Sequence, residues 1–321
     1  MKTIFLSDAE SELRRFYGTD EQFFCKNDLL SHPEDFADTE YIFSTWGMPA
    51  FSCDEIRSIL PSLKAVFYAA GSVQAFARPF IECGVKIFSA WAANAVPVAE
   101  YTVAQIILAN KGFFKTAPLS SVGKRDDSLE ARGKFCGNYG AKIGIIGVGM
   151  IGTLVAKMLK AYRLEVLAFD PFLSDEKAAA LGIEKVSLTE LFSECSVVSN
   201  HLANNEQTQG MLGGALFSLM KPYATFINTG RGAQVVEDEL ISVLSARPDL
   251  TAILDVTYPE PPLPDSGFYK LDNCILTPHI AGSSGDEVKR MADYMREEYQ
   301  NFIQNKPCRF EVTAEMLKTM A

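Results

Sequence analysis

Three side chains able to do acid–base and anion chemistry stand just beyond short apolar runs in the last third of the chain. They are Arg231 in Asn228-Thr-Gly-Arg-Gly232, Glu260 in Tyr258-Pro-Glu-Pro261 and His279 in Thr277-Pro-His-Ile-Ala281. An arginine between two glycines can form a bidentate pair with a carboxylate or polarise a carbonyl. Histidine titrates near neutrality, which makes His279 the candidate proton donor and acceptor. A carboxylate such as Glu260 can hold an imidazole in orientation and favour its protonated form. Asp255, at the end of the preceding apolar run, can support the site or orient a cofactor amide. Each has a plainer alternative: pyrophosphate binding for Arg231, a structural histidine, a solvated loop acid.

Proton chemistry of this kind needs a partner reaction, and a second pattern supplies one. Ala141 to Ile146 is an apolar run that breaks into Gly147-Val-Gly149-Met-Ile-Gly152, followed by an amphipathic stretch and a second apolar run ending on Asp170. Strand, glycine turn, helix, strand, acid is the order of a dinucleotide-binding βαβ unit. Gly147 permits the tight turn, Gly149 lets the backbone approach a pyrophosphate, and Gly152 lets helix and strand pack. The N–H groups of Met150 and Ile151 would then face the phosphates at a helix N-terminus. Asp170 is placed to accept hydrogen bonds from a ribose diol. It favours NAD over NADP, because a 2′-phosphate would occupy the carboxylate's place and no Arg follows in residues 171–176.

These residues must be positioned by a sheet. Apolar runs alternate with helical patterns along the whole chain, which predicts an α/β protein with two Rossmann-like doubly wound parallel-sheet domains and a cleft between them. Residues 1–98 with 285–321 are expected to form the first, flavodoxin-like substrate domain, and 99–284 the NAD-binding Rossmann domain. In an open parallel sheet ligands gather beyond the carboxyl ends of the strands. His201-Leu202, Thr229, Arg231, Asp255 and His279 all follow such ends in the second domain, and His201, Leu202 and Thr229 are expected to line the cofactor groove. In the first domain the strand ends are Trp46-Gly-Met48 and Gly71-Ser72-Val73, candidates for substrate recognition or simply tight turns. A helix is expected over 98–113, opened by Pro97 in its first turn, and residues 115–140 read as a long connection. Ser52/Glu55, Ser187/Glu190 and Ser284/Glu287 have capping-box spacing.

Bulk properties narrow the classes. The chain has 321 residues, a net charge of −10 and seven scattered cysteines without a C-x-x-C pair. No basic stripe points to nucleic acid. The cysteine pattern argues against a metal and for reduced thiols in the cytoplasm. No apolar run is read as long enough for a membrane, since Glu100 and Gln105 interrupt the best candidate. A C-terminal regulatory domain is not expected after Pro307.

Taken together, the motifs resemble the D-isomer specific 2-hydroxyacid dehydrogenase family. The glycine turn with Asp170 is similar to its cofactor fingerprint. The stretches 201–208, 220–232, 254–261 and 277–282 resemble its segments carrying the groove residues, the substrate arginine, the catalytic glutamate and the catalytic histidine. The resemblance implies hydride transfer between NAD(H) and a small 2-oxo or 2-hydroxy acid, of glyoxylate or hydroxypyruvate type. Arg231 would bind substrate, and His279 would be the acid/base supported by Glu260. It also implies a homodimer through the NAD domain, and Asp255 on the nicotinamide side. Ala203 replaces a usual proline, the Gly71 loop lacks an Asp common in relatives, and Trp46-Gly-Met48 is bulkier than usual. The alternative on the same fold is an NAD(H)-sensing binding protein of the C-terminal-binding corepressor type.

Overall fold

The computed structural model describes residues 2–18 and 22–318. Among them, thirteen strands run in chain order: β1 (Lys2–Leu6), β2 (Phe23–Phe24), β3 (Thr39–Ser44), β4 (Ala65–Tyr68), β5 (Lys86–Ser89), β6 (Tyr139–Ile146), β7 (Arg163–Phe169), β8 (Ile183–Lys185), β9 (Val197–Asn200), β10 (Thr225–Asn228), β11 (Thr251–Leu254), β12 (Cys274–Leu276) and β13 (Glu311–Val312). The chain divides into two compact units, Met1–Asn94 with Ser283–Ala321 and Ala95–Gly282. The joins read from the sequence lie at 98/99 and 284/285.

The first unit holds the sheet β13-β5-β4-β3-β1-β2. Its strands are parallel except for β13, which runs antiparallel to β5. Both faces are buried. Ile4, Leu6, Ile42, Val66 and Ile87 point into one core. Phe5, Phe43, Phe67 and Phe88 point into the other. The four phenylalanines are register partners on adjacent strands. Their rings stack at 5.5, 5.3 and 5.0 Å between centroids, so cross-strand pairing fixes the register as well as burying area. The helix Val288–Ile303 lies against this second face through Val288, Met291, Ala292 and Met295.

The second unit holds the all-parallel sheet β12-β11-β10-β9-β6-β7-β8. Alternate residues separate into two cores. Ile143, Ile145, Val197, Ile227 and Ile253 face one way, and Ile146, Val198, Phe226, Ala252 and Leu254 the other. That period of two with both faces apolar is why the strands read as continuous hydrophobic runs. Strand order reverses between β6 and β9, which creates the switch point where such sheets bind ligands.

Several expectations change. Residues 113–132 are not an irregular connection but two helices, Phe113–Ser121 and Arg125–Arg132. The hydroxyl of Ser128 accepts from Ser120 at 2.8 Å and donates to the Thr116 carbonyl at 3.0 Å, joining them. Neither helix has a buried apolar residue, so no apolar stripe marks them. The helix expected from residue 98 begins at Trp91 and runs to Asn110, with Pro97 inside it. A proline there removes only the donor to the Ala93 carbonyl, and small residues around it accommodate the ring. At 20 residues with mean hydropathy 1.2, this helix has the length and composition of a membrane span, contrary to the sequence reading. It is half buried, and Ala99, Val103, Ile106 and Ala109 lie in the core of the second unit. The short strands β2 and β8 and the helix Lys26–Ser31 went unread, being too short for periodicity. Ser52 and Glu55 form the expected reciprocal cap. Ser187 caps through its hydroxyl.

Candidate active site

The glycine turn sits between β6 and the helix Met150–Leu159. Gly147 has φ +85°, and a Cβ there would lie 2.9 Å from the His201 carbonyl. A Cβ at Gly152 would meet the Gly147 carbonyl oxygen at 2.1 Å. Only glycine satisfies both positions. Gly149 differs, since a Cβ would enter open space with nothing within 4 Å. No side chain caps this helix, and Met150 is exposed at its start. Open space before an uncapped helix N-terminus suits a pyrophosphate, and the residues present fit a dinucleotide. At the tip of β7 the Asp170 carboxylate accepts from Val148 N at 2.7 Å and Phe172 N at 2.8 Å, tying the turn to the neighbouring strand. Lys177 donates to the Val148 carbonyl at 2.7 Å. This cation beside the turn comes from the residue that follows the 171–176 stretch.

Beyond β9 and β10 the strand ends are joined by buried amides. Asn200 Nδ2 donates to Asn228 Oδ1 at 3.0 Å and Gln234 Oε1 at 2.6 Å. Gln234 donates to the Leu202 and Ala203 carbonyls, both at 2.9 Å, and accepts from Arg231 N at 3.2 Å. Asn228 donates to the Arg231 carbonyl at 3.1 Å. Leu202 and Arg231 are therefore placed by one fully buried network, in which an unpaired amide would cost about 1–3 kcal/mol. Gln234 carries no signal in the sequence, where it is a lone glutamine after an alanine.

His201 is buried. Its Nε2 lies 2.9 Å from Ser199 Oγ and its Nδ1 3.4 Å from Thr229 Oγ1, and Thr229 continues to Thr102 at 3.3 Å. Burial pushes its pKa down to about 3, so the ring is neutral. The Thr229 hydroxyl points into the same chain.

Arg231 is held by its Nη1 donating to the Gly230 carbonyl at 2.8 Å. Burial lowers its pKa and the charge of Glu260 opposes that shift. A Cβ at Gly232 would fall 2.0 Å from the Thr257 carbonyl carbon, so the arginine segment presses directly on the segment carrying Glu260. Glu260 Oε1 lies 2.6 Å from His279 Nδ1. Both side chains are partly exposed, 41% and 49%, which leaves the far imidazole nitrogen accessible. His279 adopts φ +54°, a left-handed conformation that costs a non-glycine residue about 1–2 kcal/mol. The buried Asp255 carboxylate holds it there. It accepts from Thr277 Oγ1 at 2.6 Å, Ile280 N at 2.8 Å and Ala281 N at 2.9 Å. Tyr101 OH in turn lies 3.2 Å from Thr277 Oγ1.

The remaining candidates belong to the first unit. Trp46 is 37% exposed, packs edge-on to Phe16 at 4.9 Å and lies under Arg15. Met48 packs against the core. Gly71 and Ser72 are partly or fully exposed at the end of β4, and Val73 is buried. Ser89 Oγ donates to the carbonyls of Ala70 and Gly71, which fixes that turn.

Residues 114–281 match the family model for the D-isomer specific 2-hydroxyacid dehydrogenase NAD binding domain. The chain belongs to the D-isomer specific 2-hydroxyacid dehydrogenase family. Within that family it is 32% identical over 228 residues to D-3-phosphoglycerate dehydrogenase of Archaeoglobus fulgidus, covering 70% of this chain and 42% of that protein. It is 35% identical over 209 residues to the putative 2-hydroxyacid dehydrogenase YoaD of Bacillus subtilis, covering 63% and 59%. The chain thus spans about half the length of the curated relatives it matches. The structure of D-2-hydroxyisocaproate dehydrogenase superposes with a TM-score of 0.79 at 20% identity, over 98% of this chain and 100% of that one, which establishes the shared fold. These family members are not named as glyoxylate or hydroxypyruvate reductases, the type read from the sequence.

Proposed function

We propose that this chain is an NAD-dependent dehydrogenase that interconverts a small 2-oxo acid and its 2-hydroxy acid. The observation that carries the reading is the 2.6 Å Glu260–His279 pair, held on the same sheet edge as Arg231 and the glycine turn. When bound, the nicotinamide would supply or accept the hydride. Arg231 binds the substrate carboxylate and polarises its carbonyl. In reduction His279 gives a proton to the carbonyl oxygen; in oxidation it takes the hydroxyl proton. Glu260 fixes the ring through Nδ1 and stabilises the imidazolium between those steps. Asp255 acts as a positioning residue for the histidine loop, the supporting role that its place at a strand end also allows.

NAD is favoured over NADP by the Asp170 carboxylate. Trp46, Met48 and residues 71–73 are assigned to choosing the acid, which makes the first unit the substrate domain and the second the NAD domain. The acid is of glyoxylate or hydroxypyruvate type, and the names of the phosphoglycerate dehydrogenases add 3-phosphoglycerate to the candidates. A homodimer through the NAD domain completes the proposal. The decisive experiment follows NADH and NADPH consumption with a panel of 2-oxo acids, and NAD reduction with D- and L-2-hydroxy acids. Turnover with one D-acid set, lost in His279→Gln, supports the reading. Tight NADH binding with no turnover on any acid would favour the NAD(H)-sensing alternative.

A further inference from the structure

Two of the seven cysteines lie together in the first unit, which contains none of the residues given a catalytic role. Cys53 opens the helix Cys53–Ile59, which follows the loop bearing Trp46 and Met48. Cys83 closes the helix Ala77–Glu82, which follows the loop bearing residues 71–73. The Cys83 thiol donates to the Cys53 carbonyl at 3.7 Å, and the Cys53 thiol lies 3.7 Å from the Pro79 carbonyl and 3.6 Å from Glu82 Oε2. The Cys83 thiol therefore sits directly against the backbone that carries the Cys53 thiol. Both are partly exposed, so a small oxidant can reach them.

The geometry points to Cys53 and Cys83 as a reversible oxidation site, in which a disulfide joins the two helices without displacing either. A disulfide oxidant such as oxidised glutathione completes the chemistry. One cysteine thiolate attacks a glutathione sulfur, forming a mixed disulfide and expelling a glutathione thiolate. The second cysteine attacks the protein sulfur of that mixed disulfide and expels the second glutathione. Two protein thiols are oxidised, one oxidant molecule takes up the two electrons, and the two protons leave with the reduced glutathione. Burial first, then the neighbouring thiol and the Glu82 carboxylate, hold the Cys53 thiol above its ordinary range, so the link forms faster as pH rises. Burial pushes the Cys195 and Cys274 thiols up to about 12, which removes those two from competition.

The test treats the full chain with oxidised glutathione at mildly alkaline pH, blocks remaining thiols under denaturing conditions and maps the peptides. The expected product is a peptide pair joined through Cys53 and Cys83, lighter than the sum of the two free peptides by two hydrogens. It returns to two blockable thiols after reduction. In Cys83→Ser the mixed glutathione adduct on Cys53 should persist, because nothing resolves it. Full alkylation of both cysteines in the parent chain, or stable separate adducts on each, overturns the proposal. The thermal midpoint gives a second reading, and a preformed geometry requires it to rise on oxidation in the parent and not in Cys83→Ser. A link that forms but lowers the midpoint shows that the helices must move to make it, and overturns the preformed pair.

Discussion

Asp255 controls His279 without touching it. Its buried carboxylate accepts hydrogen bonds from Thr277 Oγ1, Ile280 N and Ala281 N, on both sides of the histidine. The His279 backbone is thereby kept at φ +54°, and from there its ring reaches Glu260. Replacing Asp255 by Ala leaves two buried N–H donors without acceptors, each costing about 1–3 kcal/mol. We expect a lower urea midpoint and a fall in kcat larger than any change in NADH affinity. Turnover equal to the parent enzyme would sink the positioning role.

The Glu260–His279 pair predicts a split between rate and cofactor binding. His279→Gln should lower kcat by about 10²–10⁴-fold, the usual worth of a positioned acid–base group. NADH binding, measured by fluorescence, should be retained. Glu260→Gln keeps the size of the side chain but loses the carboxylate that holds Nδ1 at 2.6 Å, so kcat should fall by a smaller factor with NADH affinity again retained. Parent-like kcat in either variant contradicts the assignment.

Arg231 is largely buried, which disfavours its charge, while Glu260 offsets part of that penalty. A substrate carboxylate would complete the compensation. Arg231→Lys keeps a charge but loses the planar two-point grip. We expect kcat/KM to fall by about 10–100-fold, the equivalent of losing one charge-assisted hydrogen bond of about 1.5–3 kcal/mol. The loss should appear for acids and not for NADH. Equal losses in acid and NADH affinity would assign Arg231 to the pyrophosphate instead.

His201 makes stability depend on acidity. Its pKa is about 3 in the folded chain against 6.5 for a free side chain. Between those values the unfolded state binds a proton that the folded state refuses. Stability therefore falls as pH drops below 6.5, by up to about 1.4 kcal/mol per pH unit, and is fully retained above that value. Urea midpoints at neutral and mildly acidic pH should diverge in the parent and converge in His201→Asn. An unchanged slope in the variant would show that other groups set the acid limit.

The sequence made the chemistry legible wherever spacing alone encodes geometry. Glycines 147, 149 and 152 can be read because a turn, a phosphate approach and a helix contact each exclude or disfavour a Cβ at one position. Arg231, Glu260 and His279 were legible as a set because a parallel sheet brings its strand ends to one edge. The helices over 113–132 were missed because they bury almost nothing. The partners of His201 were not legible, because Ser199 and Thr229 come from the ends of two different strands.

What the sequence determined by itself, then, is the alternation of the longer strands and helices, the glycine turn and the residue types at the strand ends of the second sheet, since these follow from local periodicity and backbone sterics. Only the tertiary structure decided which polar groups spend their hydrogen bonds on one another. Asp255 spends its carboxylate on Thr277, Ile280 and Ala281 and so anchors the histidine loop, and Asn200, Asn228 and Gln234 form a single buried network bonded to the Arg231 backbone. Buried donors and acceptors must be paired, and which partner each finds depends on strand neighbours that lie tens of residues apart in the chain.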